Sequence, residues 1–315
     1  MSLWYGGFFL LVVPMVGNSV IRATGDTRTP SIVMAIAGLV NGIMDPLLIF
    51  GIGPFPELGI RGAAIATLIA WALSASAVLV VLVHRRKLMR FSDILGRKRE
   101  HWASILRVAL PATATNLMTP LAAAVLTAMV ARHGHHAVAG FGVGTRIEAL
   151  ALVVIIALSS ALTPFVGQNF GARNGQRIRE AVRMVLAFAF FWELGIAVLL
   201  YLTGDWVARV FSDEPATHSA IVWYLILVPI SYGFQSLVIL SCSTLNALQL
   251  PLFGTLISVI RLFLLTVPLA WLGSSQFGFT GLFGGIALAN LIAGVGTVVW
   301  LSRQLPRLSQ NAAPA

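Results

Sequence analysis

The chain has 315 residues, of which 58% are hydrophobic and only 10% charged, and a formal charge of +10. Soluble domains carry about 25% charged residues, so composition excludes a chain whose main solvent is water. The positive charge does not argue for nucleic acid, because Lys and Arg collect in short joints between apolar runs, where membrane proteins carry them.

In chain order, apolar length and flanking breakers predict nine membrane spans, near residues 3–21, 32–52, 60–83, 105–130, 147–166, 181–202, 221–245, 252–272 and 282–301. The run at 3–21 has no basic leader or small-residue cleavage site and reads as a retained span. Gly, Pro and Asp stop the helices in the joints at 24–30 and 51–56. Alternate joints hold 16 of the 21 Lys and Arg, which places the basic segment at 85–107 and the C-terminus in the cytoplasm. That basic segment reads as a topology anchor, with binding of anionic lipid heads as the alternative. The lone cysteine, Cys242, excludes an internal disulfide and reads as a small packing residue.

An internal repeat organises the spans. Pro30, Pro46, Gly59 and Gly62 have counterparts at Pro251, Pro268, Gly281 and Gly284, with offsets of 221, 222, 222 and 222. The last three spans therefore repeat the first three. Three more spans lie between the copies, so a complete unit has six, and roughly 120 residues are expected to precede Met1 in the intact protein. Six spans per unit makes the repeats parallel. The expected domains are 1–84, the rest of an N-terminal lobe; 85–104, a basic cytoplasmic linker; 105–305, a C-terminal lobe; and 306–315, a tail.

Asp45 is the leading candidate for chemistry. A carboxylate inside a span costs several kcal/mol unless protonated, paired or hydrated, so such residues tend to line ion paths. Asn41 lies four residues earlier on the same helix face, and Pro46 leaves a backbone carbonyl without its helical partner. The competing reading makes Asp45 an outer helix-end charge that caps or meets Arg61. Arg261, within a span, is either a substrate contact or a structural cation; Glu193 is a secondary proton-site candidate, and Glu148, near Arg146, reads as an interfacial charge. Gly62, Ala66 and Ala70, with Gly281, Gly285, Ala289 and Ala293, are spaced for close helix packing. His133, His135 and His136 fall in an outer joint without helical i, i+4 spacing, so no metal site is expected. The Gly-rich run at 140–144 reads as a flexible helix entry.

The runs RATGDTRTP at 22–30, NGIMDP at 41–46, GIRGAAIAT at 59–67 and GQNFGA at 167–172 resemble the multidrug and toxic compound extrusion (MATE) family, DinF-like branch, from its fourth helix to its twelfth. The resemblance implies an all-α polytopic membrane protein, a two-lobe bundle with about nine of twelve helices present. It also implies an inner-membrane antiporter, not an enzyme, that exports organic, often cationic compounds in exchange for protons or sodium ions. Asn41 and Asp45 then form the coupling site with Thr67 on the next helix, and the first three family helices, one bearing a further carboxylate, are lacking. At the repeat offset Asn41 and Asp45 correspond to Phe263 and Val267, and the spans from 105 and 221 hold no acid, so coupling is expected in the first lobe alone. No cofactor beyond the coupling ion is expected. The expected partners are a small organic substrate and membrane lipids, with no nucleic acid, and the chain is expected to be a monomer. The alternatives are a lipid-linked precursor flippase of the same superfamily, an intramembrane enzyme using the histidines, and a nonfunctional truncated fragment.

Overall fold

The computed structural model describes residues 5–88 and 98–308. The start of the first predicted span, residues 89–97 of the predicted basic linker and residues 309–315 of the predicted tail lie outside them. The chain forms two compact units, Met1–His101 and Trp102–Ala315. No strand occurs among the described residues.

The first unit holds α1 (Phe8–Ala23), α2 (Arg28–Phe50) and α3 (Ile60–Val80), the last extended by a π-helical turn at Val81–Arg85. The second holds all but the first four residues of α4 (Lys98–Ala131), with α5 (His135–Ala151), α6 (Val153–Gly171), α7 (Gly175–Phe211), α8 (Pro215–Leu227), α9 (Tyr232–Ala247), α10 (Pro251–Val259) and α11 (Val267–Leu308). Six stretches are long and apolar enough to cross a membrane, and two shorter apolar helices lie at Phe8–Ala23 and Leu117–Ala131. The longest stretch, Pro251–Pro306, turns back at Phe277 and Gly278, so all nine predicted spans have a helical counterpart. α2 shows why: at 23 residues it is about 35 Å long, against a hydrocarbon core of about 30 Å. Large apolar side chains such as Phe191, Leu202 and Trp206 are exposed, as a bilayer solvent permits.

Local chemistry sets the α2–α3 hairpin. Gly51 ends α2 in the left-handed region at φ 65°, and Gly59 opens α3 at φ 53° and ψ −132°, a region closed to residues with a Cβ. The Leu58 and Gly59 amides donate to the Leu48 and Ile49 carbonyls at 3.0 and 3.2 Å and tie the two ends together. A Cβ at Gly62 would overlap the Leu48 carbonyl oxygen, so the helices cross at backbone contact. In the second unit a Cβ at Gly285 would overlap the Leu269 carbonyl oxygen. The midpoints of these crossings, residues 55 and 277, are 222 apart, the offset of the sequence repeat. The repeat is therefore visible in each unit's own packing.

The parallel contacts repeat as well. In the first unit Gly7 meets Leu68 and Gly17 meets Val78, so α1 and α3 run in parallel 61 residues apart. In the second, Gly294 meets Phe234 across α9 and α11, 60 residues apart. Ala66, Ala70, Ala289 and Ala293, spaced by whole turns from Gly62 and Gly285, are buried, as their spacing predicts.

The structure corrects the expected outer joint before residue 147. α5 already begins at His135, so the Gly-rich run at 140–144 is helical. Its glycines serve packing: a Cβ at Gly140 would collide with Ala220, and one at Gly144 with the Tyr224 ring. A helix that must lie against a neighbour's backbone selects Gly despite its helix propensity.

Outside the spans, the α1–α2 joint is pinned by Asp26. It accepts from the Thr29 amide at 2.9 Å, the Thr29 hydroxyl at 2.7 Å and the Arg86 guanidinium at 2.6 Å. The Thr29 bonds first, then Arg86, hold its carboxyl well below the usual carboxylate range. Its stabilisation is complete above the unfolded carboxylate pKa. It is withdrawn as pH falls through that value and is gone below the depressed folded one. Asp26→Asn is expected to lower the unfolding midpoint at pH 7, with the difference from the parent vanishing in strong acid; thermal unfolding in detergent across pH checks this.

Candidate functional site

In the first unit, α2 presents Asn41 and Asp45 on one face, both partly buried, and the Asn41 amide nitrogen donates to Asp45 Oδ1 at 3.4 Å. A carboxylate only accepts, so the amide turns its N–H rather than its oxygen towards it. Asp45 lies six residues before the α2 C-cap at Gly51 and makes no ion pair with Arg61 or with any other described residue. Pro46 has no N–H, so the Gly42 carbonyl one turn earlier has no helical donor from that position. A Cβ at Gly42 would meet nothing within 4 Å, which leaves that side of the helix open. The carboxylate and the freed carbonyl are oxygen ligands suited to a hard cation, and the Asn41 amide would join them by turning its oxygen in place of its N–H.

Thr67 sits on α3, where its hydroxyl donates to the Ala63 carbonyl at 2.9 Å and keeps its lone pairs. The crossing at Leu48 and Gly62 sets Asp45 level with Ile65, and Thr67 about 3 Å further along the axis. Asn18 on α1 was not among the sequence candidates. It is 4% exposed, and its Oδ1 has no hydrogen-bond partner among the described residues. The α1–α3 pairing puts it level with residue 79, about 18 Å along the axis from Thr67 and away from the Asp45 level.

The second unit contains a hydrogen-bonded polar network. Glu148 accepts from the Tyr224 hydroxyl at 2.6 Å and from Gln235 Nε2 at 2.9 Å. Asn290 Nδ2 donates to Ser231 Oγ at 3.1 Å and to Gln235 Oε1 at 3.3 Å, and Asn290 Oδ1 accepts from Arg261 Nη1 at 3.1 Å. Tyr224, Ser231, Gln235 and Asn290 are buried. Glu193 is fully buried, and neither of its carboxyl oxygens has a hydrogen-bond partner among the described residues.

Backbone features position these groups. Gly144 lies one turn before Glu148 on the same face, and the missing Cβ lets the Tyr224 ring lie against α5 so that its hydroxyl reaches the carboxylate. Pro229 opens a 3-10 turn, Pro229–Ser231, between α8 and α9, which offers the Ser231 hydroxyl to Asn290. Arg261 lies in a π-helical turn, Ile260–Thr266, where the Thr266 hydroxyl donates to the Arg261 carbonyl at 2.7 Å. Glu148 is thus no isolated interfacial charge: α5 starts twelve residues earlier than the predicted span, so the carboxylate faces neighbouring helices.

His136 Nδ1 lies 3.0 Å from both Thr217 Oγ1 and Glu214 Oε2, and the ligand atoms of His135, His136 and Glu214 fall within 4.8 Å of one another. Sequence spacing could not show this cluster, because Glu214 comes from the start of α8. Cys242 donates to the Gly254 carbonyl at 3.5 Å.

The MatE family model matches residues 111–272. Over 297 residues the chain is 43% identical to a FAD transporter of Shewanella oneidensis, covering 94% of this chain and 66% of the relative. It is 27% identical over 209 residues to the probable multidrug resistance protein NorM of Thermotoga maritima, covering 66% of this chain and 44% of the relative. The chain thus spans less than two thirds of the length of either relative. Its structure is similar to the bent form of the Vibrio cholerae MATE transporter VcmN, with a TM-score of 0.87 at 30% identity, over 99% of this chain and 70% of that one.

Proposed function

We propose, from the premise that this chain belongs to the MatE family of integral-membrane transporters, that it works in a secondary active exporter of organic compounds driven by protons or sodium ions. The observation that carries the reading is Asp45: a carboxylate inside an apolar helix, meeting Asn41 at 3.4 Å beside a freed carbonyl. Asp45, Asn41 and Thr67 take the ion, and ion occupancy biases two lobes between inward-open and outward-open states by alternating access. Glu193 is kept as a secondary proton site. The Lys and Arg asymmetry supports a cytoplasmic C-terminus, and the family resemblance an inner-membrane location; the protein acts as a monomer.

The family resemblance favours an organic cation as cargo. The FAD transporter at 43% identity favours a flavin dinucleotide instead, and a cationic side chain in the second unit, Arg261, suits its diphosphate. FAD is therefore the substrate class supported best. The test loads proteoliposomes containing the protein with FAD or a fluorescent cationic dye and imposes a proton or a sodium gradient. FAD efflux that follows one gradient is expected. Movement of neither compound under either gradient would overturn the reading.

A further inference from the structure

The polar network of the second unit has a direction. Arg261 Nη1 donates to Asn290, Asn290 donates to Gln235, and Gln235 donates to Glu148, at 3.1, 3.3 and 2.9 Å. Every amide turns its oxygen towards the cation and its N–H towards the anion, so the dipoles align head to tail and strengthen one another. Asn290, only 3% exposed and also donating to Ser231, is held with its oxygen fixed on one guanidinium nitrogen. Among the described residues, no carboxylate neutralises Arg261 directly. Its described side-chain partner is a neutral amide.

A guanidinium carries five N–H donors. Here no described hydrogen bond uses Nε or Nη2, and Nε is buried. That edge presents two parallel N–H bonds, an arrangement that can grip a phosphate or carboxylate. The π-helical turn at Ile260–Thr266 adds weight, since such turns recur at functional sites, and a cation kept within a span without a counter-carboxylate is costly unless a ligand uses it.

We propose that Arg261, through its Nε–Nη2 edge, is an anion-binding anchor that takes a phosphate group of the transported compound, with Asn290 and Gln235 as positioning residues that hold it in place. The site rests on the FAD reading for its natural ligand, but its chemistry is that of any phosphate-bearing anion. The test uses the whole chain in nanodiscs and measures equilibrium binding of three probes: FAD, riboflavin, which has the flavin but no phosphate, and inorganic pyrophosphate. Arg261→Gln is expected to weaken FAD and pyrophosphate about 30-fold and to leave riboflavin unchanged. Asn290→Asp keeps Arg261 but sets a carboxylate against it, and is expected to produce the same selective loss; it decides the matter if Arg261→Gln does not fold. Arg261→Lys, which keeps the charge and loses the fork, is expected to recover only part of the affinity.

Affinity for FAD and pyrophosphate within about twofold of the parent in a folded Arg261→Gln or Asn290→Asp protein would overturn the anchor. So would a parent protein that binds neither FAD nor pyrophosphate. Pyrophosphate binding that depends on Arg261, without FAD binding, would leave the anchor standing and sink the FAD reading. FAD binding indifferent to both substitutions would do the reverse.

Discussion

Replacing Asp45 with Asn is expected to reduce gradient-driven efflux about 5- to 150-fold, the range spanned by typical coupling free energies of 1–3 kcal/mol, while binding of the transported compound survives. The substitution is nearly isosteric and keeps an oxygen next to Asn41, which lies 3.4 Å from the native carboxylate. What it removes is the charge that attracts a cation or takes a proton. An amide binds neither with useful differential affinity, and a ligand shifts a conformational equilibrium only by that difference. Counterflow without a gradient separates the two functions: exchange of labelled for unlabelled FAD persists, whereas uphill efflux collapses. Undiminished uphill efflux would remove Asp45 from the mechanism. Asn41→Ala is expected to act in the same direction and more weakly, since it deletes a neutral ligand and leaves the carboxylate.

The second large effect is steric. Gly62→Leu is expected to destabilise the protein by about 3 kcal/mol or more, because the added carbons meet backbone rather than a side chain that can swing aside. A Cβ at Gly62 would overlap the Leu48 carbonyl oxygen and lie 3.0 Å from the Ile49 nitrogen, so α2 and α3 must part. Their separation would also break the Leu58 and Gly59 bonds that close the hairpin. Gly38 is the control on the same hairpin. A Cβ there would meet nothing within 4 Å, so Gly38→Ala is expected to be neutral or to gain up to about 1 kcal/mol from helix propensity. Thermal unfolding in detergent distinguishes them, and equal midpoints for the two variants would refute the close crossing. Gly285→Leu repeats the experiment in the second unit against the Leu269 carbonyl.

Much of the first site is legible in the chain because its geometry is local. Asn41 and Asp45 share a face through helical periodicity alone, and Pro46 frees a carbonyl by lacking a proton. The repeat was legible for the same reason. Its Pro and Gly residues mark turns and close crossings, and both crossings fall at the predicted offset. The Glu148 network was not legible. Its members come from α5, α8, α9, α11 and two irregular turns, and Gln235 stands 87 residues from the carboxylate that accepts from it. The one sequence signal available was Gly140 and Gly144 one turn apart, followed at the next turn by Glu148, a groove leading to an acid. Assigning that run to an entry segment concealed the pattern.

Apolar length, breaker placement and helical period by themselves determined the membrane class, the apolar helices, the repeat and the Asn41–Asp45 pair, because each depends on the solvent outside the helix or on residues within two turns. The tertiary structure alone decided which polar side chains of the second unit meet. That outcome depends on helix depth and rotation, set where Gly144 accepts the Tyr224 ring and Gly294 accepts Phe234, and no local period encodes which distant groups those contacts bring together.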